Sequence, residues 1–421
     1  MRHAHKNAAT NEEPKPSLVP RLRFPDFEGE WETRSGDDLF DQISERNPGT
    51  DLPVLAITQE HGAIPRHMIE YHVSVTEKSI ESYKLVRRGD FIISLRSFQG
   101  GIEYSHYNGL CSPAYVILRR SREGSNEYYK QYLKTDRFIL LLTRNLEGLR
   151  DGKMISYRQF SELRLPIPKS AEQQRIASCL SSLDELIGAQ ARKVDALKTH
   201  KKGLMQQLFP REGETLPRLR FPEFEGEWEE RRLGDVATFH KGKGISKADI
   251  SINGRTPCIR YGELYTVYGE IVENVQSRTD IPVDDLFLSQ SNDVIIPASG
   301  ETRLDIAKAA CVIHDDVALG GDLNVIRTSH RGVFLSYYLN GPKRYDIAKV
   351  AQGDTVAHLY PSQLKKLVVS LPSEAEQQRI ASCLSSLDEL ITKESNKLET
   401  YKTHKKGLMQ GLFPKVEEST T

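Results

Sequence analysis

Seventeen consecutive residues occur twice without a change: 171–187 and 375–391 both read AEQQRIASCLSSLDELI. Two further pairs bracket them. Residues 20–32 (PRLRFPDFEGEWE) return as 217–229 with Glu223 in place of Asp26. Residues 198–210 (KTHKKGLMQQLFP) return as 402–414 with Gly411 in place of Gln207. The stretches between the repeated blocks are hardly alike. A chain written this way must fold as two copies of one scaffold carrying two different inserts. It presents two distinct surfaces on a common frame.

The repeated blocks that begin at Ala171 and Ala375 predict long helices over 170–209 and 374–413. Ser170 with Gln173, and Ser373 with Glu376, fit a capping box. Each helix stops at Leu-Phe-Pro, because the residue before proline disfavours the helical conformation. Apolar residues recur at heptad spacing: Ile176, Leu180, Leu183, Ile187, Val194, Leu197, Leu204 and Leu208, then Ile380, Leu384, Leu387, Ile391, Leu398, Leu408 and Leu412. Such a stripe needs a partner helix, and the simplest partner is the other copy. The spacing does not choose between parallel and antiparallel pairing. Gln190 and Glu394 interrupt the stripe at matching places, as do Lys201 and Lys405. Two readings stand: they fix the register, or they lie where the seam is frayed or covered by another subunit.

Both inserts read as mixed α/β. Strand-like runs fall at 53–57, 90–94 and 114–118, then at 293–297, 309–313 and 324–327, with helices late in each insert at 127–143 and 333–339. Each insert has a Gly-Asp or Asn-Asp turn before an apolar strand (Gly89-Asp90, Asn292-Asp293). The inserts therefore read as diverged versions of one domain. The expected division is a disordered tail 1–19, a domain 20–169, a helix 170–210, a domain 211–373, a helix 374–414 and a tail 415–421. The 58 basic and 58 acidic residues cancel, which argues against a nonspecific polyanion binder. Five cysteines form no CxxC pair and read as core thiols in a reducing compartment. No apolar run reaches membrane-span length, and there is no signal-peptide core; the expected location is cytoplasmic.

This layout, with RLRFP-x-FEGEWE lead-in segments and AEQQRIA helix starts about two hundred residues apart, resembles the specificity subunit of type I restriction–modification enzymes over residues 20–413. The resemblance implies an α+β fold: two mixed α/β target-recognition domains separated by two long antiparallel coiled-coil helices, with a pseudo-twofold internal repeat. It implies that each domain reads half of a split double-stranded DNA site and that the helices set the spacer. It also implies two methyltransferase subunits docked on the helices and two restriction or motor subunits. S-adenosylmethionine, ATP and Mg2+ would be used by those partners, with no cofactor in this chain. Helices of about 40 residues are about 60 Å long, and a split site of about 13–15 bp, about 45–50 Å, lies within their reach. Unlike inserts imply an asymmetric site. A two-lobed protein-binding scaffold that ignores DNA is the rival class, and a modification-only system is a closer variant.

No methyltransferase N/D-P-P-Y/F motif, P-loop, HExxH or nucleophile motif occurs, so a noncatalytic chain is expected. Base reading calls for Arg, Lys, Asn or Gln at groove edges, and phosphate positioning adds hydroxyls and backbone amides. Loop candidates in the first insert are Arg96, Ser97, Gln99, Arg150, Lys153, Ser156 and Tyr157. In the second they are Lys241, Lys243, Ser299, Thr302, Arg303, Thr355, His358 and Tyr360. Lys241 and Lys243 lie in a Gly-rich loop suited to close phosphate approach. Partner-binding candidates sit at the helix starts: Gln173, Gln174, Arg175, Gln377, Gln378 and Arg379.

Overall fold

The computed structural model describes residues 18–46, 51–69, 80–144, 155–353 and 356–414. The chain forms two compact units, 1–190 with 397–421 and 191–396. Each long helix contributes to both units: Ser170–Gln207 and Glu374–Leu412.

The core sheet of the first unit runs in the order Phe40–Ile43, Val116–Arg120, Phe91–Ile93, Glu103–Tyr104, with every join antiparallel. In the second unit the order is Ala237–Lys241, Leu323–Thr328, Asp293–Pro297, Ala310–Val312, and a fifth strand, Ile271–Val272, is added in parallel. The first four strands correspond one to one, so the two inserts share a topology. Their central strands, FII and DVIIP, are buried throughout, which explains why they read as unbroken apolar runs rather than alternating ones.

The Asp of each shared turn explains the turn's chemistry. Asp90 accepts two bonds from Arg119 (2.8 and 2.9 Å) and one from the Arg87 amide. Asp293 does the same with Arg327 (2.8 and 2.7 Å) and the Gln290 amide. The residue before each Asp has positive φ, Gly89 at 100° and Asn292 at 83°. Glycine and asparagine are the residues that adopt this conformation at least cost.

Each insert is closed at its base by a two-stranded antiparallel ribbon. Glu32–Ser35 pairs with Arg164–Ile167, and Glu229–Arg232 with Val368–Leu371. The insert thus leaves the scaffold and returns at one point, with whatever lies between free to differ. The helix expected over 127–143 is two helices, Asn126–Tyr132 and Asp136–Arg144. The break falls where the Thr135 hydroxyl accepts the Phe138 amide and starts a new helix. The capping boxes expected at the long helices do not form in full. Ser373 Oγ accepts the Glu376 amide, but the Gln173 and Glu376 side chains are drawn elsewhere. Ser170 is already the first helical residue of its copy.

The two long helices pair antiparallel inside each unit. In the second, Lys193 meets Glu394 at 2.7 Å and Lys201 meets Asp388 at 2.7 Å, so one number falls as the other rises. In the first, Lys405 meets Asp184 at 2.6 Å. The interrupting lysines are therefore ion-paired across the seam, which favours the register reading over a frayed seam. Lys201 also bonds Glu270 at 2.9 Å.

Candidate nucleic-acid interface and the scaffold that presents it

In the second unit, strand Ser299–Gly300 pairs with Ala357–His358, setting Ser299 opposite His358. Strand-like alternation then continues: Leu359 is buried while His358 and Tyr360 are exposed. Their rings stack, with centroids 6.3 Å apart at 24°. Lys241, at the end of the first strand of the core sheet, places its Nζ 5.8 Å from the Tyr360 ring centroid. Three sequence candidates thus converge from two segments on one exposed patch, with Ser299 beside them. Thr302 and Arg303 lie in the following loop, where the Thr302 hydroxyl donates to Asp305 at 2.6 Å and Arg303 Nε to the Gly353 carbonyl. An exposed aromatic pair with a cation over one ring can stack on bases and meet phosphate.

Lys243 is turned away from this patch. Its Nζ approaches Asp285 at 3.5 Å and the Asp284 carbonyl. The Gly-rich loop has a structural cause: a Cβ on Gly242 would sit 2.0 Å from the Gly320 carbonyl oxygen. Gly242 thus admits the neighbouring segment at Gly320, while Gly244 faces open space.

In the first unit, Arg96 and Gln99 are exposed on and beside the short helix Ser97–Gly100. Ser97 is buried and its Oγ accepts the Ser94 amide, so it offers nothing to DNA. Ser156 caps the helix Tyr157–Ser161 through a capping box with Gln159. The Tyr157 hydroxyl donates to the Phe40 carbonyl at 2.8 Å, and burial with nearby Asp37 and Asp41 raises its pKa. Both side chains have a local duty in the fold. Arg150, Lys153 and Thr355 lie outside the described residues.

The helix-start candidates divide in the same way. Gln174 and Gln378 are exposed, each bonded to the serine one turn on. Arg175 lies over the Phe24 ring at 5.2 Å, and Arg379 over Phe221 at 4.7 Å. Arg379 also reaches Glu223 at 3.4 Å, where the other copy has the shorter Asp26. Gln173 and Gln377 are buried and are not partner contacts. Each donates to a proline carbonyl five residues back (Pro168, Pro372). Each Oε1 accepts the backbone amide that starts an insert helix, Ser125 in one unit and Arg331 in the other.

Sequence reasoning missed the strongest scaffold contacts. Arg23 forks onto buried Glu172 (2.8 and 2.9 Å) and Arg220 onto buried Glu376 (2.8 and 2.8 Å). This clamp ties the lead-in RLRFP segment to the helix start and accounts for the paired repetition of the two blocks. Asp184 accepts Gln131 Nε2 at 2.7 Å, and Asp388 accepts the Tyr337 hydroxyl at 2.6 Å. Burial and the carboxylate push that phenol far up. Among the described residues no cluster of His, Cys, Asp and Glu could hold a metal ion, and no helix is long and apolar enough to cross a membrane.

A family model described as the type I restriction modification DNA specificity domain matches residues 28–199 and again 225–400. A putative type I restriction enzyme MjaX specificity subunit of Methanocaldococcus jannaschii is 24% identical over 411 residues, covering 91% of this chain and 93% of that protein. The MjaVIII specificity subunit of the same organism is 23% identical, covering 93% of each. A type I system S subunit from M. genitalium aligns with a TM-score of 0.54 at 15% identity, covering 95% of this chain and 100% of that one. A chain from a study of complex assembly and conformational transition of the type I R-M system aligns at 0.55 and 16%, covering 92% and 98%. These structural likenesses extend to the fold.

Proposed function

The chain belongs to the type I restriction–modification DNA specificity family, and from that premise we propose how this noncatalytic specificity subunit divides its work. Residues 20–169 and 211–373 are the target-recognition domains, each reading one half of an asymmetric bipartite double-stranded site. The repeated helices set the spacer and dock two methyltransferase subunits, with two restriction or motor subunits joining them. S-adenosylmethionine, ATP and Mg2+ act in those partners.

One observation carries this reading. The ion pairs that fasten the lead-in segments and the long helices join repeated residues in both units (Arg23–Glu172 and Arg220–Glu376, Asp184–Lys405 and Asp388–Lys201). The exposed polar groups suited to bases, Lys241, His358 and Tyr360, belong to unrepeated insert sequence. A shared frame suits two identical partners, and unlike faces suit two different half-sites. Gln174 with Arg175, and Gln378 with Arg379, offer the repeated docking contacts. Arg96 and Gln99 serve the first half-site; Lys241, Ser299, Thr302, Arg303, His358 and Tyr360 serve the second. Exchanging residues 33–169 for the insert of another member and mapping adenine methylation in the host tests the division. One half of the methylated motif changes while the other half and the spacer stay. A change in both halves, or in neither, contradicts it.

A further inference from the structure

Beside the proposed reading patch, the second unit contains an open cleft of about 1720 Å³. Ser299 lines it and is paired to His358, so the two features are continuous. The first long helix supplies Lys198 and Lys202 to one wall, and the insert supplies Tyr261, Lys308, Arg344 and Tyr345. Tyr261 and Tyr345 are 40% and 67% exposed, enough to offer their hydroxyls.

The charges do not cancel inside the cleft. Lys201 lies between the Glu270 and Asp388 carboxylates. That leaves Lys198, Lys202, Arg211, Lys308 and Arg344 against Glu212, Glu301 and Asp305, and Asp305 already takes the Thr302 hydroxyl. Lys308 is half-buried, and its neighbour carboxylate Glu270 is held by Lys201. Burial lowers its pKa, with Glu270 opposing the fall and Arg344 adding to it. Arg344 Nη2 donates to the Leu304 carbonyl at 3.4 Å, and its buried Nε has no acceptor among the described residues.

The first unit handles the same repeated lysine differently. Lys406, the counterpart of Lys202, pairs with Asp136 at 3.4 Å, and Asp136 begins the helix Asp136–Arg144. In the second unit the helix that follows the aromatic helix of the insert begins with Arg344 instead. The scaffold lysine is neutralised in one unit and joined by a second cation in the other.

We propose that this cleft is a sequence-independent phosphate track, in which Lys202, Lys308 and Arg344 grip the DNA backbone alongside the second half-site. The inference rests on the DNA-reading function proposed above and adds an anchor that only the second insert builds. A cleft of this size exceeds an ordinary small-molecule pocket of about 300–1,000 Å³, which favours a polymer strand over a free nucleotide. Phosphate contacts position the duplex, and bases are read elsewhere.

The test uses the full chain with the methyltransferase subunits of its own system. Affinity is measured against salt for a duplex bearing the methylated motif and for a scrambled duplex. Lys308→Gln with Arg344→Gln weakens both duplexes by the same factor. It also lowers the slope of log K against log salt by about 1.8, two contacts at about 0.9 each. Lys202→Gln, an exposed change with no burden on folding, lowers it by about 0.9. Arg344→Lys keeps the slope. An unchanged slope in the Lys202 and double variants overturns the track, as does a loss confined to the motif duplex. Displacement of DNA by millimolar ATP in the unchanged protein, abolished in the double variant, would assign the cleft to a nucleotide instead. If the unchanged complex binds no DNA, the functional reading itself fails.

Discussion

Arg220→Ala isolates the clamp that joins the lead-in segment to the second long helix. It strips both guanidinium bonds from Glu376, whose side chain is almost wholly buried. It also frees the Glu225 and Gly226 carbonyls that Arg220 holds across the lead-in turn. A buried carboxylate left without its cation costs about 3–5 kcal/mol. Two groups soften the loss: the Trp228 indole, which donates to Glu376 at 3.3 Å, and the positive end of the helix, where Glu376 lies in the first turn. The matching Arg23→Ala leaves Glu172 with less. Trp31, the counterpart of Trp228, has no acceptor for its Nε1 among the described residues. Arg23→Ala therefore costs about 1 kcal/mol more than Arg220→Ala, the worth of a modest hydrogen bond. Replacing both partners, Arg220→Met with Glu376→Leu, costs far less than Arg220→Ala alone, because no charge is stranded. With two compact units, a single unfolding free energy is poorly defined. Amide hydrogen exchange over 217–229 and 20–32 reads each clamp locally. A loss of about 3 kcal/mol appears as more than about a hundredfold faster exchange. The reasoning is refuted if Arg220→Ala changes exchange less than about threefold, or if it is the more damaging of the two arginine variants.

Two further outcomes follow from burial. Burial pushes the Cys111 and Cys311 thiols up to about 12 and Cys258 to about 11, so these three carry almost no thiolate at pH near 8; Cys179 and Cys383 are only partly buried. Alkylation of the native chain, read by mass, modifies those two, and modification of Cys111 or Cys311 without unfolding refutes the assignment. Truncation after Asn396 removes Leu408, Leu412 and Phe413 from the core of the first unit, where loss of one buried Phe alone costs about 3–5 kcal/mol. Calorimetry should show the first unit unfolded and the second still melting, and an unaltered first transition would overturn the shared-helix architecture.

The frame of this fold was legible because it is written twice. Repetition marked the helices and the lead-in segments, and the shared Gly-Asp and Asn-Asp turns correctly announced two versions of one domain. Antiparallel pairing was not legible from spacing, since a heptad stripe serves either direction. It emerges within the second unit from Lys193–Glu394 and Lys201–Asp388. Candidate contacts failed where a polar side chain had an internal duty. Gln173 and Gln377 looked like docking residues because they open a repeated helix, but both are buried against insert backbone. Ser97 and Ser156 looked like loop hydroxyls and serve local turns. One signal could have separated these cases. A polar residue repeated beside a repeated arginine elsewhere in the scaffold, as Glu172 and Glu376 are to Arg23 and Arg220, is more economically explained by an internal pair than by a ligand.

The way the frame holds unlike inserts follows from the same contacts. Phe413 packs against Tyr128 and Tyr132, at 5.6 and 5.4 Å between ring centroids. Phe209 packs against Phe334 and Tyr338, at 5.5 and 5.3 Å. In both inserts the socket is a pair of aromatics one helical turn apart, so one scaffold Phe fits either. Gln173 and Gln377 fix the start of that same insert helix. Asp184 and Asp388 hold Gln131 and Tyr337, each one residue before the second aromatic of the socket. Three repeated side chains thus grip three corresponding positions of one insert helix, and the antiparallel ribbon at the base grips the insert's two ends. These corresponding contacts fall on that helix and that ribbon, while Asp136 in one insert and Glu270 in the other meet scaffold lysines from elsewhere. The strand ends and loops that carry Arg96, Gln99, Lys241, His358 and Tyr360 lie outside this socket, so substitutions at those positions leave the contacts that hold the frame in place.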